Sequence, residues 1–230
     1  MPEGNAATGS ATRRRDGREE GLATIRRLAE FGVATVYEAS GRAGLVDIPL
    51  LQTLPFSRAA GPARVALCGQ SDNRAVHEVI AHAEPGDVLV LTMPTPAPVA
   101  LFGELLATQA LHRGVAGVLV DGAIRDIDVL RHLPLPVWTR FVRVAGASKA
   151  ARGAIDVPVE VGGATIRPRD VLLMDADGAV VVPVERLEEV IAAAGERVER
   201  ERGMKARLEV GELSYDIYGM RGQDTPPAEG

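Results

Sequence analysis

The chain has 230 residues, 46% of them hydrophobic and 25% charged, with a formal net charge of −5. That length supports one substantial core without demanding two domains, and the composition is that of a globular protein. The acidic balance lacks the basic excess that a general nucleic-acid surface needs to neutralise phosphates, yet one arginine in a cleft can still hold a small anionic substrate.

Residues 1 to 18 are Gly, Ala, Thr, Arg and Glu without apolar periodicity, the composition of a mobile tail, so the fold is expected over residues 19 to 230. The arginines at 13 to 15 are not followed by the apolar segment of a signal peptide. Leu22, Ile25, Leu28 and Ala29 repeat at helical spacing, and Val33 to Ala39 forms a second short helix before the break at Gly41 to Gly44. Pro62 to Cys68 reads as a strand, Asn73 to Ala83 as a helix and Asp87 to Leu91 as a buried strand after the Pro85-Gly86 turn. Cys68 is the single cysteine; it excludes an intrachain disulfide, points to a reducing cytoplasmic setting and is expected in the core. A helix from Glu104 to His112 and a strand from Val115 to Val120 come next, followed by a short helix over Asp126 to Leu133 and a short strand over Pro136 to Trp138.

Alternation of this kind predicts an α/β layered core. From Ile155 the pattern turns to short β runs: Val157, Val159 and Val161 alternate, Gly162-Gly163 turns, and Asp170 to Met174 and Ala179 to Val182 flank the turn at Asp175 to Gly178. A helix then runs from Leu187 to about Leu208. There is no internal repeat, and no apolar run approaches the roughly 20 residues of a membrane-spanning helix.

The stretch from Gly103 to Asp126 concentrates the chemistry. Twenty residues separate Glu104 from Arg125-Asp126, room for one helix and one returning strand, which brings both ends to the same edge of a sheet. In α/β domains that edge is where ligands collect. On spacing alone, an Arg-Asp pair after a strand is equally a cap or a salt bridge, and Glu104 an ordinary first-turn acid favoured by the helix dipole.

The set Gly103-Glu104-Leu105, Arg125-Asp126, Asp156-Val157-Pro158-Val159, Gly162-Gly163, Pro168, Asp170 and Asp175-Ala176-Asp177-Gly178 resembles the class II pyruvate aldolases of the RraA-like family. The similarity runs over roughly Gly32 to Arg221 and is closest to the 4-carboxy-4-hydroxy-2-oxoadipate and 4-hydroxy-4-methyl-2-oxoglutarate aldolases. Gly211-Glu212-Leu213 and Asp216 to Arg221 look like the carboxy-hydroxy-oxoadipate branch.

The resemblance implies a layered β/β/α fold of swivelling-domain type and a homotrimer or homohexamer with sites between subunits. It implies a divalent cation, Mg²⁺ or Mn²⁺, and retro-aldol cleavage of a 2-oxo acid to pyruvate, with oxaloacetate decarboxylation as a side activity and a place in aromatic catabolism. Asp126 would ligate the metal, and Glu104 would hold metal-bound water and assist proton transfer. Arg125 would contact substrate, and the amides of Gly103, Glu104, Leu105 and Leu106 would receive its carboxylate. Glu201, with Glu199 as competitor, would reach the metal's waters from a neighbouring subunit. Relatives that bind and inhibit a ribonuclease leave a non-catalytic alternative open, as does a biosynthetic lyase on the same scaffold.

The remaining candidates are single residues. Lys149 lacks the apolar surroundings that would make it a Schiff-base lysine and is expected at the surface or on a substrate anion. His77 is a candidate pocket residue, His112 and His132 are surface residues, and the four histidines lack zinc spacing. The position of Tyr37 is often histidine in the family, and Ala150-Ala151-Arg152 replaces a different segment, which leaves the distal half of the substrate open.

Overall fold

The computed structural model of the chain describes residues 6–223, with side chains over residues 17–221. The elements run α1 (Ala6–Glu30), α2 (Val33–Ala39), β1 (Leu51–Gln52), β2 (Ala59–Leu67), α3 (Arg74–His82), β3 (Val88–Thr92), β4 (Ala100–Phe102), α4 (Glu104–His112), β5 (Gly117–Ile124) and α5 (Ile127–Leu130). They continue with β6 (Val137–Val142), β7 (Ala154–Ile155), β8 (Val159–Val161), β9 (Ala164–Ile166), β10 (Val171–Asp175), β11 (Gly178–Val182), α6 (Leu187–Glu209) and α7 (Ser214–Ile217).

One sheet organises the chain, in the order β1-β6-β5-β3-β2-β10-β11. Its centre is parallel: β2 pairs with β3, β3 with β5 and β5 with β6. Helices α3 and α4 lie on one face because each turns a small apolar stripe inward. Val76, Val79 and Ile80 of α3, and Leu106, Ala107 and Ala110 of α4, pack with Leu89, Leu91, Val118 and Val120. The opposite face is covered by the β8–β9 hairpin, whose Val159, Val161 and Ile166 meet Val65, Val90, Leu119 and Trp138. This is the expected β/β/α layering. A third cluster joins Leu28, Val36 and Val190 of α1, α2 and α6 to Leu173, Val180 and Val182.

The site is positioned by β5, which is buried at all eight positions as a strand covered on both faces must be. It runs on past Val120, where the sequence reading ends it, through Asp121-Gly122 to Ile124. Along one edge it pairs first with β3 and then with β4, a three-residue strand that sequence patterning does not reveal. Because β4 leads into α4 and β5 leads into α5, the two segments carrying Glu104 and Arg125-Asp126 leave the sheet side by side.

Two side chains pin segments that sequence reading left loose. Helix α1 begins at Ala6, so the tail expected through Arg18 is helical from residue 6; Met1 to Asn5 lie outside the described residues. Alanine, arginine and glutamate are strong helix formers and need no apolar repeat to extend a helix already docked further along. Arg18 reaches Asp87 at 2.7 Å and Glu84 at 2.6 Å, and donates to the carbonyl of Pro85 at 2.9 Å.

Asp72, fully buried, ties down the loop after β6: its carboxylate accepts from the Ser148 hydroxyl and from the amides of Arg74 (2.8 Å), Ala150 (2.6 Å) and Ala151 (3.0 Å). Burial pushes the Asp72 carboxyl up, but the Ser148 hydroxyl and the three amides outweigh it and hold the pKa at about 2.

Arg18→Ala is expected to leave the buried Asp87 carboxylate with the Glu84 amide as its remaining hydrogen bond and to cost about 1–3 kcal/mol in urea unfolding. An unchanged midpoint would exclude the N-terminal helix from the cooperative fold. Asp72 contributes stability that is fully present above the ordinary carboxylate pKa of 3.8 and is lost as pH falls toward 2. Asp72→Asn should therefore be less stable at pH 7 by about 1–3 kcal/mol, with the deficit narrowing between pH 4 and pH 2. A deficit constant across that window would contradict the depressed pKa.

Candidate active site

A cleft of about 90 Å³ opens where β4 and β5 end; Asn73, His77, Gly103, Arg125, Asp126 and Lys149 are among the residues lining it. Its volume is well below the roughly 300–1,000 Å³ of sites for drug-sized ligands and suits a small acid.

Asp126 sits at the junction of β5 and α5 with φ 60°, in the left-handed region that aspartate tolerates better than most side chains. That backbone turn sends its carboxylate back across the sheet edge: Oδ2 accepts from the amide of Glu104 at 3.1 Å and lies 3.5 Å from Arg125 Nε. The contact depends on Gly103, where a Cβ would lie 2.7 Å from Asp126 Oδ2 and 3.0 Å from Arg125 Cγ. Arg125 also runs beneath Gly146, whose added Cβ would meet Nη1 at 3.0 Å. The three residues that spacing placed at one sheet edge therefore come together.

The start of α4 supplies an electropositive wall. The first turn of a helix carries amides without intrahelical partners. The amide of Glu104, expected to receive a substrate carboxylate, is used by Asp126 here, which leaves those of Gly103, Leu105 and Leu106 as the candidates among the described residues. The Glu104 side chain is exposed and has no polar partner among the described residues.

No three His, Cys, Asp or Glu side chains gather into a metal cluster among the described residues. What the cleft offers a cation is Asp126 Oδ1, which accepts no hydrogen bond among the described residues, with Glu104 brought beside it through its own amide. A donor set of one or two carboxylates suits Mg²⁺ or Mn²⁺, which keep most of their own waters, and does not suit zinc.

The other candidates divide. His77 is exposed and lines the cleft; desolvation and then the Lys149 ammonium lower its pKa, so its ring is neutral at pH 7. Lys149 is exposed on the cleft wall, on the loop that Asp72 pins. His112 and His132 are exposed, as expected. Tyr37 packs with the third cluster under α1 and α6 and does not line the cleft.

Glu201 pairs with Arg197 at 2.8 Å and Glu199 with Arg202 at 2.9 Å, both on α6, which packs on α1 and α2. Neither lines the cleft of its own chain. Cys68 is a core residue; burial, with Asp72 adding, pushes its pKa up to about 12, so the thiol is inert.

Sequence reading singled out Lys149 but missed Gly146 and Ala147 beside it on the cleft wall and Asp72 as the anchor of their loop. Ser71-Asp72-Asn73 ahead of a helix carried the signal, as an Asx turn, but nothing in it names a partner 76 residues away.

Comparison with known proteins identifies the family. A Halalkalibacterium halodurans protein named "Putative 4-hydroxy-4-methyl-2-oxoglutarate aldolase" is 39% identical over 134 residues, 58% of this chain and 64% of that one. A 4-hydroxy-4-methyl-2-oxoglutarate aldolase of Thermus thermophilus is 35% identical over 112 residues, 49% of this chain and 68% of that one. The chain thus spans about two thirds of the length of these relatives. The crystal structure of Streptomyces coelicolor RraAS2, "an unusual member of the RNase ES inhibitor RraA protein family", superposes with a TM-score of 0.70 at 29% identity, over 80% of this chain and 96% of that one. With the RraA-like family model, Aldolase/RraA, matching residues 33–181, the chain belongs to the RraA-like family.

Proposed function

We propose that the protein is a divalent-metal-dependent lyase that splits a 4-hydroxy-2-oxo acid, of the 4-carboxy-4-hydroxy-2-oxoadipate or 4-hydroxy-4-methyl-2-oxoglutarate type, into pyruvate and a second 2-oxo acid. Oxaloacetate decarboxylation is expected beside it, because both reactions leave an electron pair on the same pyruvate enolate. The observation that carries this reading is the Asp126 carboxylate, fixed through one oxygen to the amide of Glu104 and open at the other, beside Arg125 in a cleft of small-acid size. The names of the relatives support the substrate class.

Asp126 would hold Mg²⁺ or Mn²⁺ through Oδ1, with Glu104, and Glu201 of a neighbouring copy, reaching its waters. The cation supplies Lewis-acid polarisation of the substrate's ketone and carboxylate. Arg125 aims a planar fork at the same end, where it can meet a carboxylate oxygen and the developing enolate oxygen together. The free amides at the start of α4 take the remaining carboxylate charge. As the bond between C3 and C4 breaks, its electron pair forms the C2=C3 bond of the pyruvate enolate, the ketone's π pair moves onto its oxygen, and the C4 hydroxyl gives up its proton as C4 becomes the new ketone. Glu104, whose exposed carboxylate lies between the cleft-lining residues Gly103 and Leu105 in sequence, is suited to take that proton through water and to return one to C3. A trimer or hexamer would bring Glu201 across, at the cost of its pair with Arg197.

The rival reading is a ribonuclease regulator without catalysis, favoured by the likeness to the Streptomyces coelicolor structure. Pyruvate release from the two hydroxy-oxo acids and from oxaloacetate, with and without EDTA, separates the two. EDTA should abolish release and Mg²⁺ restore it, whereas no turnover of any oxo acid would favour the regulator. A wider substrate panel separates out a biosynthetic lyase. Asp126→Asn, which tolerates the left-handed backbone, should lower kcat/KM by about 10²-fold or more without unfolding the protein. Arg125→Lys should also lose about 10²-fold, since a point charge cannot copy the bidentate fork. Wild-type rates in either variant would remove that residue from the site.

A further inference from the structure

The two strands that deliver the site are both irregular, at neighbouring points. Along β5 and β6, Val120 pairs with Thr139 and Ala123 with Phe141, so Asp121 and Gly122 together oppose the single residue Arg140. Along β4 and β5, Ala100 pairs with Ala123 and Phe102 with Ile124, so Leu101 is the extra residue on β4. A bulge of this kind changes which face every later side chain takes, and bulges recur beside active sites for that reason. Here each lies two to four residues before a site segment: Leu101 before Gly103-Glu104, Gly122 before Arg125-Asp126.

The two bulges pack on each other. A Cβ added at Gly122 would sit 3.2 Å from Leu101 Cδ1 and 3.3 Å from Met93 Cε, so the bare glycine is the seat for the Leu101 side chain. Each bulge leaves a carbonyl that a side chain satisfies. Asn73 Nδ2 donates to Leu101 O at 3.1 Å. Thr139 Oγ1 lies 3.2 Å from Gly122 O and 3.0 Å from Phe141 O, so its one proton serves both strands across the bulge. Asp121, itself in the bulge and almost fully buried, reaches across to Arg140 at 2.9 Å and accepts from Thr92 Oγ1 at 3.4 Å.

We propose that Thr139 and Asn73 are positioning residues of the site, holding the carbonyls of two facing bulges and so fixing the register in which the Asp126 carboxylate meets the amide of Glu104. Thr139 is fully buried and does not line the cleft, so it acts through the strands alone. Asn73 does line the cleft, which makes Thr139 the cleaner probe. The kinetic part of the proposal rests on the lyase reading; the geometric part does not.

The test compares wild type, Thr139→Val and Thr139→Ser in pyruvate release and in amide hydrogen exchange of Glu104 in ¹⁵N-labelled protein. Valine removes the hydroxyl at nearly constant volume, and serine returns it. Thr139→Val should lower kcat about 10-fold or more with KM within about 3-fold, because a small misplacement of a reacting group is expensive in rate. Its Glu104 amide should exchange about tenfold faster as the bond to Asp126 loosens. Thr139→Ser should recover both to within about 3-fold of wild type.

Wild-type kcat and wild-type Glu104 protection in Thr139→Val would overturn the proposal, even with a lower Tm, as would a serine variant no better than valine. If the wild type releases no pyruvate, the lyase reading falls and the exchange rates alone decide. If Thr139→Val does not fold, Arg140→Gln, at the partly exposed residue opposite the bulge, should show the same two losses, and their absence would sink the idea.

Discussion

The hydrogen bond from the Glu104 amide to the Asp126 carboxylate is the constraint on which the candidate site depends. It joins the start of α4 to the end of β5 across a sheet edge, and it uses one carboxylate oxygen while the other accepts no hydrogen bond among the described residues. Asp126 reaches that amide because its own backbone turns left-handed and because Gly103 has no side chain in the way. The same placement sets the Asp126 carboxylate at the positive end of the α4 dipole, beside Arg125.

The layers explain how so exposed a contact stays fixed. The β5 strand is buried along its whole length, between helices on one face and a β-hairpin on the other, so the two site segments leave a rigid edge. Opposite them, the buried Asp72 carboxylate holds the loop that carries Lys149 onto the cleft wall. Flexible side chains thus work from backbone anchored at both walls, which would keep down the ordering cost of binding the proposed small acid. The charged helix α6 belongs to a separate cluster, and its Glu201 would serve the cleft only if another copy brought it there.

Much of this was legible in the sequence. The α4 helix is bounded at Glu104 and His112 as its pattern implies, and the spacing to Arg125-Asp126 does bring the two ends together. Periodicity works there because helix and strand are long enough to repeat. It fails on β4, where three residues give no period, and at the end of β5, where Asp121-Gly122 has the composition of a turn but continues the strand through a bulge. Residues 6 to 18 were lost for the opposite reason: composition without periodicity reads as a tail, although helix propensity extends α1 through them. Asp72 stood in view as a residue of a turn, yet its partners near residue 150 are a fact of topology that local pattern does not carry.

The most direct test of a cation at Asp126 is Mn²⁺ binding, followed by the relaxation of water protons, in wild type and Asp126→Asn. A single protein carboxylate on a hard ion leaves most of its waters in place, so the wild type should bind Mn²⁺ with strongly enhanced water relaxation, and the variant should lose both binding and enhancement. Equal binding in the two proteins would contradict the placement of the ion, and with it the chemistry assigned to the cleft.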